Sequence, residues 1–139
     1  MNKLNITKDY LDTQKLGELF SKQLKYGDIV ILYGDLGSGK TTFVKGILKG
    51  YNFNDEVTSP TFSLINEYEA DKKVIHIDCY RETNIQRWVS IGIEDYFNNS
   101  NIVIIEWPEI LEKIIPDHAI KVQLKHVDDN TREISFILI

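Results

Sequence analysis

The feature that most narrows the fold is the octapeptide Gly34-Asp35-Leu36-Gly37-Ser38-Gly39-Lys40-Thr41, which satisfies G-x-x-x-x-G-K-[ST] at every fixed position. Such a loop works only between a buried strand and a helix. Its backbone N–H groups must curl around a phosphate while a helix N-terminus adds its partial positive charge. The flanking residues meet that demand. Asp28–Tyr33 (DIVILY) is a short apolar run, rich in β-branched residues and stopped by Gly34, and reads as a buried strand. Thr41–Lys49 reads as a helix ended by Gly50. Strand, glycine-rich turn and helix together predict a site for a nucleoside triphosphate with Mg²⁺. The glycines admit backbone conformations closed to other residues. Lys40 brings a point charge to the β- and γ-phosphates, and the Thr41 hydroxyl is a candidate Mg²⁺ ligand. Asp35, Leu36, Gly37, Ser38, Gly39 and Thr42 complete the expected cradle.

Around this core the chain alternates between helical and extended patterns. Leu11–Leu24 places Leu11, Leu16, Leu19, Phe20 and Leu24 on one helical face, with Asp12 or Thr13 as candidate cap and Gly27 just beyond the end. Thr61–Glu69 and Lys73–Cys79 flank Ala70-Asp71-Lys72 and predict a hairpin. Ile85–Phe97 reads as helical in pieces. Asn101–Glu106 (NIVIIE) is a second near-continuous apolar strand, and Pro108–Ile115 reads as a short helix with proline at its start. Ala119–Val127 and Arg132–Ile139 alternate as two last strands joined through Asp128-Asp129-Asn130. Strands outnumber helices towards the end. The expected fold is α/β: a P-loop NTPase-like three-layer arrangement with a mixed, partly antiparallel central sheet.

Composition excludes several other classes. With 139 residues, 42% hydrophobic and 27% charged, and without a repeat or a Pro/Gly/Ser-rich linker, residues 1–139 read as a single domain built around the P-loop. A net charge of −5 argues against direct grip on RNA or DNA, which rests on Lys and Arg neutralising phosphates. The one cysteine, Cys79, fits a reducing cytosol, and no apolar run approaches the roughly 20 residues that span a bilayer. A cytoplasmic protein with no membrane association is expected.

A phosphate loop needs a carboxylate at the end of a neighbouring strand. Lys73–Asp78 ends in Asp78, and Asn101–Glu106 ends in Glu106. The second strand is apolar throughout, as expected beside the loop-bearing strand, so Glu106 is the favoured Mg²⁺ ligand and Asp78 the residue that positions the attacking water. Trp107 follows immediately and has two readings, as a wall or stacking surface for the nucleotide or as core packing. His76 alternates with apolar neighbours and reads as structural; Cys79 reads as a small buried residue.

Further motifs make the pattern specific. GDLGSGKTT (Gly34–Thr42), VTSPTF (Val57–Phe62), HIDCYR (His76–Arg81), IGIEDYF (Ile91–Phe97) and EWPE (Glu106–Glu109), in this order and at these spacings, resemble the TsaE (also YjeE) family of small bacterial ATPases needed to make threonylcarbamoyladenosine in tRNA. The resemblance covers nearly the whole chain, and SPTF and EWPE are far more specific than the phosphate loop. It implies ATP and Mg²⁺ as cofactors, Lys40 and Thr41 as the phosphate-loop pair, Glu106 as the Mg²⁺-binding acid and Asp78 as catalytic. It implies that Ser59–Phe62 is a switch whose hydroxyls, Thr61 among them, sense the γ-phosphate, and it ties Trp107 to nucleotide binding. Thr13 and Arg132 sit where members of the family contact the nucleotide. The implied partners are TsaD and TsaB, which transfer the threonylcarbamoyl group, with tRNA met only through that complex. Two positions depart from the family pattern: Ser38 stands where alanine is commoner, and Glu82 where an apolar residue is usual.

Rival readings fit less well. A small-molecule P-loop kinase usually carries a lid with several arginines, and here only Arg81, Arg87 and Arg132 exist, far apart in sequence. A GTPase switch would carry N-K-x-D after a late strand, where this chain has EWPE. A nucleotide-dependent scaffold that does not hydrolyse would use the same binding residues.

Overall fold

The computed structural model describes residues 2–58 and 64–137. Its strands are β1 (Asn2–Thr7), β2 (Ile29–Tyr33), β3 (Ile65–Glu69), β4 (Lys73–Asp78), β5 (Ile102–Glu106), β6 (Ile120–His126) and β7 (Arg132–Ile137). Its helices are α1 (Tyr10–Ser21), α2 (Lys40–Gly50) and α3 (Ile85–Ser90), with 3₁₀ turns at Ile93–Tyr96 and Pro108–Leu111. The strands form one sheet in the order β1-β7-β6-β2-β5-β4-β3. β4, β5, β2 and β6 run parallel to one another, while β3 joins β4, β7 joins β6 and β1 joins β7 antiparallel. The α/β fold with a mixed, partly antiparallel sheet is therefore the one the chain adopts.

Period-two alternation makes the layers. Val30 and Leu32 of β2, Val74 of β4, Ile102 and Ile104 of β5 and Val122 and Leu124 of β6 pack with Phe43, Val44, Ile47 and Leu48 of α2. Their neighbours Ile29, Ile31, Ile75, Ile77, Val103 and Ile105 point the other way, against Trp88, Ile93 and Leu111. The two central strands β2 and β5 are thus covered on both faces, which is why they read as continuous apolar runs.

Three expectations are corrected, and one strand goes unpredicted. α1 starts at Tyr10 on an Asp9 cap, whose carboxylate accepts from the Asp12 N–H at 2.8 Å, so neither Asp12 nor Thr13 is the cap. Its buried face is Thr13, Gly17, Phe20 and Ser21, whereas Leu11 and Leu19 are exposed. The reason is close backbone packing: a Cβ on Gly17 would lie 2.4 Å from the Phe43 carbonyl oxygen, and one on Gly46 would lie 2.0 Å from that of Gln14. Small residues, not leucines, mark the α1–α2 contact. Pro108–Leu111 forms only a 3₁₀ turn rather than a helix to Ile115, since Pro116 disfavours helical geometry at the residue before it. Finally, β1 escapes the pattern reading because its apolar residues Leu4 and Ile6 are exposed; the strand is held by its ladder to β7, from Asn2↔Ile137 to Thr7↔Arg132. Among the described residues no helix is long and apolar enough to cross a membrane.

Candidate functional site at the carboxyl ends of the parallel strands

In an open parallel sheet, ligands sit in the crevice outside the carboxyl ends of the strands. Here that edge gathers the loop after β2 and the ends of β4 and β5. Gly39 caps α2 at φ 101°, a left-handed conformation that favours glycine, and turns the chain from loop into helix. Gly34 has no room for a side chain, because a Cβ would lie 2.6 Å from the Leu124 carbonyl oxygen. The Ser38 N–H closes a turn onto the Asp35 carbonyl at 3.1 Å. The first-turn N–H groups of α2 have no intrahelical acceptor and carry the positive end of its dipole towards the loop.

Lys40 opens α2 and is 6% exposed. Its ammonium donates to the Gly34 carbonyl and lies 4.0 Å from the centroid of the Trp107 ring. Burial lowers its pKa, and the charges of Glu106, Asp78 and Asp35 oppose that shift. The ammonium lies close to acids and is held by contacts that a phosphate group can replace.

The acids come from adjacent strands in register. Leu32 of β2 pairs with Glu106 of β5, and Glu106 pairs with Asp78 of β4. Glu106 is 2% exposed, and one oxygen lies 2.5 Å from His76 Nε2. Asp78 is half-buried and accepts the Tyr80 N–H at 2.9 Å. Burial raises its pKa above the ordinary carboxylate value, the Glu106 charge adds to the rise, and the Tyr80 hydrogen bond opposes it.

Trp107 lies between the core and the cleft. Its inner side packs against the apolar cluster around Trp88. Its ring also walls the cleft, 4.8 Å from the Tyr80 ring at an interplanar angle of 48°. It adopts φ 55° and ψ 60°, left-handed for a bulky residue, and so turns the chain sharply between β5 and Pro108.

These groups open into one cleft of about 570 Å³, lined by Leu36, Gly37, Gly39, Lys40, Thr41, Thr42, Asp78, Tyr80, Arg81, Glu106, Trp107 and Arg132. Thr13 and Arg132 come together on the far side of the loop, 3.7 and 3.8 Å from where a Gly39 Cβ would sit, and share with Thr42 a side pocket of about 150 Å³. Thr13 is held there by a 2.7 Å hydrogen bond to Thr7. Asp35 is exposed and does not line the cleft, and the Ser38 side chain is turned inward and buried. Thr61 and the rest of Ser59–Phe62 lie outside the described residues. Three residues at the site were not picked out for it from sequence: His76, Tyr80 and Arg81. A usable signal existed for the first. His76 and Asp78 are two apart in a strand and must share a face. Arg81 and Arg132, distant in sequence, both line the cleft.

Comparison with known proteins agrees with this picture. Residues 7–134 match the family model described as threonylcarbamoyl adenosine biosynthesis protein TsaE. The chain is similar to the tRNA threonylcarbamoyladenosine biosynthesis protein TsaE of Treponema pallidum, at 32% identity over 94% of this chain and 96% of that one. It is similar to the Bacillus subtilis protein of the same name, at 34% identity over 90% and 78%. The crystal structure of Bacillus subtilis YdiB superposes with a TM-score of 0.86 at 29% identity, over 100% of this chain and 86% of that one. The loop, the two strand-end acids and these matches lead to one conclusion: the chain belongs to the TsaE family of threonylcarbamoyladenosine biosynthesis proteins.

Proposed function

We propose that the protein is a Mg²⁺-dependent ATP hydrolase that supports threonylcarbamoyladenosine formation in tRNA by driving a TsaB–TsaD transfer complex between turnovers. The observation that carries this reading is the register Leu32–Glu106–Asp78 across three parallel strands, which sets two carboxylates beside the phosphate loop in the cleft that holds Lys40.

The residues fit the roles. The loop amides and Lys40 bind the phosphates, and Trp107 and Tyr80 wall the cleft. Thr41 and Glu106 are the pair that would hold Mg²⁺, a hard cation that takes most of its ligands from phosphates and water and needs few from protein. When bound, it neutralises charge on the β- and γ-phosphates. Asp78, half-buried with a raised pKa, is suited to orient the attacking water. Thr13, Thr42 and Arg132 flank the loop where the rest of the nucleotide can lie. The Ser59–Phe62 segment follows this site in our reading as the reporter of nucleotide state. On this reading turnover is slow in isolation and rises when the partner complex completes the site. tRNA is met through that complex, consistent with a net charge of −5.

The test is release of inorganic phosphate from ATP, measured with and without TsaB–TsaD. Faster release with the complex, lost in Lys40→Ala, is the expected result. Transfer of the phosphoryl group to a small metabolite instead of water would favour a kinase, and equal release by Lys40→Ala would overturn the proposal.

A further inference from the structure

Among the described residues, His76 is the largest buried polar side chain that the proposed chemistry does not use. It is 0% exposed, flanked in β4 by Val74, Ile75 and Ile77. A wholly buried imidazole needs a partner to offset its desolvation. The register supplies one. His76 pairs with Ile104, and Glu106 lies two residues further along β5, so the two side chains are diagonal neighbours on one face of the sheet. His76 Nε2 and Glu106 Oε2 are 2.5 Å apart, with both side chains almost fully buried.

The ring's other nitrogen decides the proton's place. Nδ1 is buried and has no hydrogen-bond partner among the described residues. A carboxylate only accepts, so Nε2 must donate, and an Nδ1 left as a lone pair avoids burying an N–H with nothing to bond. The geometry is that of a histidine whose one N–H is spent on orienting an acid. β4 and β5 are already joined by their own ladder from Val74↔Ile102 to Asp78↔Glu106, so the imidazole is not needed to pair the strands.

We propose that His76 is a positioning residue: its Nε2–H fixes the Glu106 carboxylate in the one orientation in which that carboxylate serves Mg²⁺. The inference rests on the reading of Glu106 as the Mg²⁺-binding acid. It deepens that reading by naming the group that holds the acid, as outer partners of metal ligands commonly do.

The probe is Mn²⁺, whose free-ion paramagnetic resonance signal falls on binding, titrated into the full chain saturated with ADP. ADP affinity in EDTA is measured alongside. His76→Phe keeps the ring and removes the donor; His76→Gln places an N–H near the position of Nε2; His76→Asn cannot reach it. We expect His76→Phe and His76→Asn to weaken Mn²⁺ binding about 10–100-fold, and His76→Gln to stay within about threefold of the native protein. ADP affinity in EDTA should be unchanged in all three. If His76→Phe fails to fold, the Gln and Asn pair decides. Glu106→Gln separates the two claims. If it loses Mn²⁺ affinity while His76→Phe and His76→Asn do not, the positioning role is refuted and the role of Glu106 stands. If Glu106→Gln keeps its affinity, the Mg²⁺ reading fails and this inference fails with it. Equal loss in the Gln and Asn variants overturns the inference too, since the Nε2 donor would then not be what matters.

Discussion

On the face of the sheet covered by Trp88, Ile93 and Leu111, strands β4 and β5 present Ile75, Ile77, Val103 and Ile105, none more than 1% exposed. On the opposite face, beneath α2, the same two strands present Val74, Ile102 and Ile104 and then His76, Asp78 and Glu106. The residues alternate one by one, so a single backbone serves both purposes. The back face is a packing surface, and its tolerance is set by volume. The front face turns polar only towards the carboxyl ends of the strands, where α2 begins and its N-terminus and Lys40 offset the cost of burying charge. Strand position, more than residue type, separates the chemistry from the packing.

That contrast can be broken by substitution. The largest stability effect is expected on the back face, where Trp88 is fully buried and its indole N–H donates to the Glu82 carbonyl at 3.1 Å. Trp88→Ala should cost about 3–5 kcal/mol in urea unfolding while leaving ADP affinity of the folded protein unchanged. On the front face Lys40→Ala should show the reverse, with ATP hydrolysis down roughly 10²–10³-fold and the unfolding midpoint little changed. Gly46→Ala should affect both properties, because the α1–α2 contact it disrupts also carries Thr13 to the loop. About 1–3 kcal/mol of stability should go, together with some nucleotide affinity measured by calorimetry.

The smallest effect is expected at Asp78. Asp78 has its pKa raised above 3.8, first by burial and then by Glu106, so the folded state holds that proton more tightly than the unfolded chain. The resulting penalty is absent below the unfolded pKa and complete once the pH passes the raised folded value. Asp78→Asn should therefore raise the melting temperature of the nucleotide-free protein slightly at pH 7, lose that gain below about pH 4, and abolish hydrolysis throughout. A back-face substitution would show no such pH dependence.

Much of this was legible in the sequence because it depends on local order. The phosphate loop, the apolar strands β2 and β5 and the acids ending β4 and β5 are all stretches whose pattern and position carry their meaning. What was hidden depends on contacts between distant segments. The interface of α1 is made by Gly17 and Gly46, which no apolar periodicity registers. β1 exists because β7 offers it a ladder, although its own apolar residues face outward. The partner of His76 is hidden because Glu106 is 30 residues away, and only the register shows them as diagonal neighbours. Arg81 and Arg132, 51 positions apart, likewise line one cleft only because of the fold.

The proposed function requires that the cleft between the loop after β2 and the ends of β4 and β5 bind ATP with Mg²⁺. Calorimetric titration of Mg²⁺-ATP into the native protein and into Lys40→Ala tests it directly. We predict saturable binding by the native chain and a loss of roughly tenfold or more in the variant, the worth of a charged hydrogen bond to phosphate. Indistinguishable titrations, or no binding by the native protein, would contradict it.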